Sequence, residues 1–261
     1  MDIREHIAHL AGTREELFLL TRVCEKMQTA IRRDIPAASC FLSKREQMLT
    51  REALRGEPIR FFGGLSTAER EVCCYLPDYL DESWLTGEDS PIAAVRASFF
   101  ERDALTHRDF LGALMGCGIK RETVGDLYVA EGRCDFLVTR EILPYVLQNL
   151  TDAGRTRLHL AEIPLSALEA PAQKTKQIRG TVSSLRLDSV VAEGFALSRS
   201  RAAEVIDAGK AELNCMLCAK PDRAIAEGDI VSVRGLGKMR LETVGRNTKK
   251  GRISIEICRY L

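Results

Sequence analysis

With 261 residues, 45% of them apolar, the chain holds material for two or three cores, which excludes a single small domain. Net charge is +1, yet residues from Ala172 onward carry 17 Lys+Arg against 10 Asp+Glu while residues 1–171 carry 21 against 27; such segregation is expected where one part of a chain faces a polyanion. No run approaches the ~18 apolar residues of a membrane span, Met1-Asp2-Ile3-Arg4-Glu5 lacks the pattern of a signal peptide, and nine cysteines, an odd number, read as reduced thiols, so a cytoplasmic protein away from membranes is expected.

Taken in chain order, residues 13–33 read as an amphipathic helix. Thr13-x-x-Glu16 forms a capping box there, and Leu20, Val23, Cys24, Met27 and Ile31 recur at helical spacing. A second capping box, Ser43-x-x-Glu46, opens a helix that Gly56 and Pro58 stop. A short apolar run over 59–62, Gly63-Gly64, and a helix from Thr67 to about Tyr75 complete an α-rich module assigned to residues 1–80. Residues 81–165 change period: a strand over 92–100, a helix with Phe110, Leu111, Leu114 and Met115 on one face, strands over 127–129 and 134–139 around Glu131-Gly132, a helix from Pro144 to Leu150, and a strand over 158–163. The order β-α-β-β-α-β predicts a ferredoxin-like, RNA-recognition-motif-like domain. In it Phe99, Phe100, Tyr128 and Phe136 serve either as core or as base-stacking residues, with core favoured because the aromatic signature of an RNA-recognition motif is missing. Lys120 and Arg121, just past a helix end, either cap it or make a secondary RNA contact. A linker is expected over 166–183, where apolar residues thin out and Pro171, Lys174, Lys176 and Arg179 appear.

The last domain, 184–261, reads as a helix pair on a small antiparallel sheet. Leu187, Val190 and Val191 mark one helix; Ala202, Val205 and Ile206 mark a second between Ser198 and Gly209. Strands follow over 211–216, 229–234, 238–244 and 253–258. Alternation puts Lys238 and Arg240 on one strand face, opposite Met239 and Leu241. That basic stripe is expected to continue over the helices through Arg186, Arg199, Arg201, Lys210 and Lys220, beside a loop holding Arg246, Lys249, Lys250 and Arg252. With Phe195 and Tyr260 the only aromatics, recognition there is expected to rest on RNA shape and phosphate, through forked guanidinium contacts, and not on stacked bases.

Arg186-Leu187-Asp188, Ser198-Arg199, Ala203, Ile206, Gly209-Lys210, Asn214, Lys220 and Gly228-Asp229, followed by a glycine-bounded basic hairpin, resemble the S-four-type (alpha-L) RNA-binding domain. One departure is Asn214-Cys215, where that domain usually has Asn-Gly. Upstream, Phe41 to Gln47, Gly63-Gly64, Ala68-Glu69-Arg70, Leu76-Pro77-Asp78-Tyr79, Leu111 to Glu122 and Gly125-Asp126 are similar to the YlmH family, whose members are bacterial, RNA-binding and ribosome-associated. The resemblance implies a protein that meets the large ribosomal subunit and steadies peptidyl-tRNA during alanine tailing of stalled chains; a non-catalytic monomer without cofactor, bound to ribosomal RNA and tRNA, is expected. With the basic stripe and loop, this gives expected RNA contacts at Arg186, Asp188, Ser198, Arg199, Arg201, Lys210, Lys220, Lys238, Arg240, Lys249 and Lys250.

An RNA-modifying enzyme with an appended RNA grip, a pseudouridine synthase or methyltransferase, is the alternative. Its cofactor form would want a glycine-rich strand-to-helix turn, whereas Gly112, Gly116 and Gly118 lie at or past a helix end. Cys215-x-x-Cys218 without a second spaced pair is a weak metal signal, and His6, His9, His107 and His159 are scattered, so no metal site is assigned.

Overall fold

The computed structural model describes residues 3–171, 174–248 and 251–261. The chain divides into two compact units, Met1–Pro171 and Ala172–Leu261.

The first unit begins with α1 (Ile3–Leu10), α2 (Arg14–Arg33), β1 (Ala37–Leu42), α3 (Lys44–Ala53), β2 (Ile59–Phe62) and β3 (Glu71–Tyr75). Thr13 caps α2 by accepting from the Glu16 amide, and Ser43 with Glu46 closes both halves of the box on α3. The α-rich expectation needs correction, because these helices cover a three-stranded antiparallel sheet in the order β1-β3-β2. Residues 71–75, expected in a helix, are its central strand. Val72, Cys73 and Cys74 are buried there on alternate faces, one toward the helices and one toward a second sheet, so a continuous apolar run marks a strand covered on both sides.

The second sheet comes from α4 (Ser83–Thr86), β4 (Ile92–Ser98), α5 (His107–Gly116), β5 (Val124–Ala130), β6 (Arg133–Thr139), α6 (Leu143–Asn149), β7 (Asp152–Ala153), β8 (Thr156–Arg157) and β9 (His159–Ile163). Its four strands run β5-β6-β4-β9, every neighbour antiparallel. Period-two alternation gives it two apolar faces. Ala93, Val95, Ala97, Phe136 and Val138 pack against Phe110 and Leu114 of α5 and Leu143 and Val146 of α6. Ile92, Ala94, Leu137, Tyr128 and Ile163 pack instead against Phe41, Val72 and Cys74 of the first sheet. The modules expected over 1–80 and 81–165 therefore share one unit.

Polar groups clasp the two sheets. The Asp126 carboxylate accepts from the Glu69 and Arg70 amides at 2.6 and 3.2 Å, while the Arg70 guanidinium donates to the carbonyls of Val124 (3.1 Å) and Phe41 (2.9 Å). Gly125 permits this approach, since a Cβ there would lie 2.7 Å from Phe41 Cε1 and 2.9 Å from Leu137 Cβ.

The second unit consists of β10 (Thr175–Val182), α7 (Leu187–Phe195), α8 (Arg199–Asp207), β11 (Ala211–Leu213), β12 (Met216–Leu217), β13 (Ile230–Val233), β14 (Gly237–Asn247) and β15 (Ile253–Tyr260). They build a six-stranded sheet in the order β10-β15-β14-β13-β11-β12. The linker expectation over 166–183 is corrected here: residues 175–182 pair in full register with β15, from Thr175 opposite Tyr260 to Val182 opposite Ile253. Gly180 interrupts the apolar alternation that would have revealed the strand, because the Glu193 side chain occupies the space where its Cβ would stand. Ile178, Val182, Ile255, Ile257, Met239, Leu241, Val231 and Val233 turn one face of the sheet onto α7 and α8. Asn214 and Cys215 both take positive φ, 50° and 65°, in the two-residue connection between β11 and β12, the conformation an Asn-Gly pair adopts more readily.

Replacing Gly125 with alanine forces Phe41 and Leu137 apart; urea unfolding should show a loss of about 1–3 kcal/mol, and an unchanged midpoint would mean that the sheets are not in close contact there.

Candidate nucleic-acid interface

Arg186, Arg199, Lys220 and Arg223 of the second unit lie around the start of α7. The Leu187 and Asp188 amides donate to the carbonyls of Arg223 (2.8 Å) and Pro221 (2.9 Å), and Arg186 bridges Ala224. Backbone carbonyls thus close this helix start to outside anions, and the same contact lays segment 220–224, with exposed Lys220 and Arg223, beside Arg186.

Asp188 organises that edge. Its carboxylate accepts from Arg186 Nε and Nη2, both at 3.3 Å, from Arg199 Nε at 3.1 Å, and from Ser189 Oγ at 3.2 Å. Its side chain is 6% exposed, whereas those of Arg186 and Arg199 are 41% and 52% exposed. Burial pushes the carboxyl up, but the hydrogen bonds and charges of Arg186 and Arg199 outweigh it and hold the group below its ordinary value. Asp188, expected as an RNA contact, is placed instead to aim two guanidiniums. Among the described residues the Nη groups of Arg199 have no protein acceptor, so they remain available to an external oxyanion.

Ser198 caps α8, its Oγ accepting from the Arg201 amide at 3.2 Å. Arg201 pairs with Glu204 at 2.8 Å on the solvent-exposed side of the helix, a screened contact of low strength. Lys210, just past α8, is exposed.

Lys238 and Arg240 do not continue this edge. Met239 and Leu241, between and beside them on β14, are buried under α7 and α8, so Lys238 and Arg240 occupy the far face of the sheet. There Lys238 Nζ lies 5.5 Å from the Tyr260 ring centre, and Arg179 pairs with Glu256 at 2.9 Å. The expected single stripe is therefore two surfaces: a cationic helix edge and a far face of mixed sign. Lys249 and Lys250 lie outside the described residues.

In the first unit, Lys120 is exposed, but Arg121 turns inward and donates to the carbonyls of Val124 (2.5 Å) and Gly125 (3.3 Å). Burial lowers its pKa to about 10, aided by the Arg70 charge. Its guanidinium thus ties the turn before β5 to the backbone of that strand. Phe136 is fully buried, Tyr128 packs in the core between the sheets, and Phe99 stands 5.7 Å from Phe110. Phe100 departs from the core expectation, being 69% exposed. Among the described residues no group of three or more His, Cys, Asp or Glu is placed to hold a metal, and no helix is long and apolar enough to cross a membrane.

A curated relative from Bacillus subtilis (strain 168), "Ribosome-associated protein quality control protein P2", is 34% identical over 216 residues, covering 80% of this chain and 82% of that one. The chain belongs to the YlmH family. The family model described as "Putative RNA-binding domain in YlmH" matches residues 97–167, the stretch from the end of β4 past β9. A solved structure titled "Cell division protein ylmH from Streptococcus pneumoniae" is 17% identical, with a TM-score of 0.49, covering 60% of this chain and 95% of that one. Two features of this YlmH chain have no signature in residue spacing. One is the segment Lys220–Ala224 against α7, which backbone hydrogen bonds place; the other is the exposure of Phe100, for which an aromatic in the turn after a strand was the available signal.

The carboxyl of Asp188 is held below its unfolded value of about 3.9, so its stabilisation is complete above that value and is lost as pH falls through the lower folded one. Asp188→Asn should cost about 1–2 kcal/mol at neutral pH and should weaken the acid dependence; urea midpoints that fall equally with acid in both proteins would contradict this.

Proposed function

We propose that this chain is a non-catalytic RNA-binding protein of the cytoplasm, acting as a monomer in ribosome-associated quality control. Its proposed targets are ribosomal RNA and tRNA on the large subunit, where it would support alanine tailing of stalled nascent chains. The observation that carries the reading is the cationic edge of the second unit, where a buried carboxylate holds Arg186 and Arg199 outward beside Lys220 and Arg223. Fixing a guanidinium before binding reduces the ordering cost that a free arginine would meet on reaching phosphate. Forked donors suit phosphate oxygens better than ammonium point charges.

Three further points support it. The helix pair and the hairpin with two positive-φ residues agree with an S-four-type domain, in which Cys215 stands where glycine is usual. The strand order β5-β6-β4-β9 is that of a ferredoxin-like domain, and the family model matching residues 97–167 is described as RNA-binding. The relative's printed name gives that protein a place in ribosome-associated quality control.

The two surfaces of the second unit make the reading testable. Replacing Arg199, Lys220 and Arg223 together with alanine should abolish tight binding to large ribosomal subunits. For every phosphate that is no longer neutralised, the slope of log affinity against log salt should also flatten by ~0.9 for duplex targets. Replacing Lys238 and Arg240 should change affinity and slope much less. Parent-like binding by the Arg199/Lys220/Arg223 variant, with an unaltered unfolding midpoint, would dispose of the edge as the RNA-binding surface.

A further inference from the structure

An RNA-recognition-type sheet ordinarily meets single strands with aromatics on its open face. That face does not exist in the first unit. The side of β4, β5, β6 and β9 turned away from α5 and α6 is filled by Phe41, Val72, Cys74, Leu165 and Leu168, and its polar end is closed by Arg96, which donates to both oxygens of Asp135 at 2.7 Å and to the Ala167 carbonyl at 3.0 Å. A base that reaches this unit must find its stacking partner elsewhere.

Phe100 is such a partner. It lies in the turn that follows β4, within the residues matched by the RNA-binding family model. The turn is fixed by bonds from the Phe99 amide to the Gly132 carbonyl (2.9 Å), from Asp103 to Phe100 (2.8 Å) and from Leu105 to Asp103 (2.8 Å). The Arg102 guanidinium sits over the ring, 5.1 Å from its centre. Phe18, equally exposed, also has an arginine over it, but Arg22 gives two hydrogen bonds to Glu122, so its charge is already matched. Arg102 has no carboxylate partner among the described residues. Cross-strand register brings Arg133, which pairs with Glu169, and exposed His159 opposite Ser98 at the same strand end, with exposed Arg157 two residues before His159. A stacked cation on one side of a held ring, with the exposed Arg157 cation near the strand end, is an arrangement that takes an unpaired base and its phosphate.

We infer that the Phe100–Arg102 pair is a stacking site for an unpaired base of the bound RNA. This rests on the RNA-binding reading above and deepens it. It assigns unpaired nucleotides to the first unit and phosphate-based recognition of paired RNA to the second.

The test uses the whole chain and two labelled RNA hairpins, one blunt and one carrying an unpaired uridine-rich 3′ tail. Phe100→Ala should lose about tenfold in affinity for the tailed hairpin and keep parent affinity for the blunt one, while Phe100→Tyr should restore tailed binding. With 4-thiouridine in the tail, irradiation should cross-link the peptide holding residues 99–102. Unchanged tailed binding by Phe100→Ala, or cross-links confined to other peptides, would overturn the stacking site while leaving RNA binding intact. A parent protein that binds neither hairpin would overturn the RNA reading and this inference with it.

Discussion

A sheet that is apolar on both faces has to be covered on both. That constraint governs the first unit: α5 and α6 cover one side of the β5-β6-β4-β9 sheet, and the three-stranded sheet of the N-terminal module covers the other. Asp126, Arg70 and Gly125 set the spacing between the sheets by hydrogen bonds to backbone and by the absence of one Cβ. The residues that carry the family resemblance upstream, Phe41, Glu69-Arg70 and Gly125-Asp126, meet at this clasp, so their first duty is packing. One consequence is that the side of this sheet turned away from α5 and α6 is taken up by packing against the first sheet.

The second unit satisfies the opposite requirement, presenting charge without burying it uncompensated. Asp188 is the buried member of its ion group, and taking a carboxylate out of water is costly unless cations and donors compensate it. Arg186 and Arg199 do so while keeping part of their own side chains in solvent. The pair therefore serves two ends, neutralising an internal anion and presenting guanidinium groups outward. On the far face Lys238 lies over the Tyr260 ring and Arg179 pairs with Glu256, itself partly exposed.

Much of the fold was legible in residue spacing. The Ser43/Glu46 capping box closes while at Thr13/Glu16 only the Thr13 half forms, the middle strands fall close to their expected ranges, and the α7–α8 pair appears where Leu187, Val190, Ala202 and Ile206 predicted it. The losses have physical causes. β3 has an uninterrupted apolar run because both its faces are covered, so period two was invisible. β10 lost its alternation at Gly180, where Glu193 takes the space of a side chain. Alternation correctly separated Lys238 and Arg240 from Met239 and Leu241, but which face the helices cover is a tertiary fact, and it divided one expected stripe into two surfaces. For Arg121 spacing left a helix-end cap and an RNA contact both open, and its bonds go instead to the carbonyls of Val124 and Gly125. Asp188 was expected as an RNA contact and is instead a buried carboxylate holding Arg186 and Arg199.

On the proposed reading RNA meets the Asp188-anchored edge and the turn after β4, while the face of β5 and β6 stays closed. Amide hydrogen exchange of the whole chain, with and without large ribosomal subunits, distinguishes these surfaces. Exchange should slow over residues 186–201, 220–224 and 99–103, with residues 127–138 unchanged. Slowed exchange across residues 127–138, with none at the edge or the turn, would contradict it.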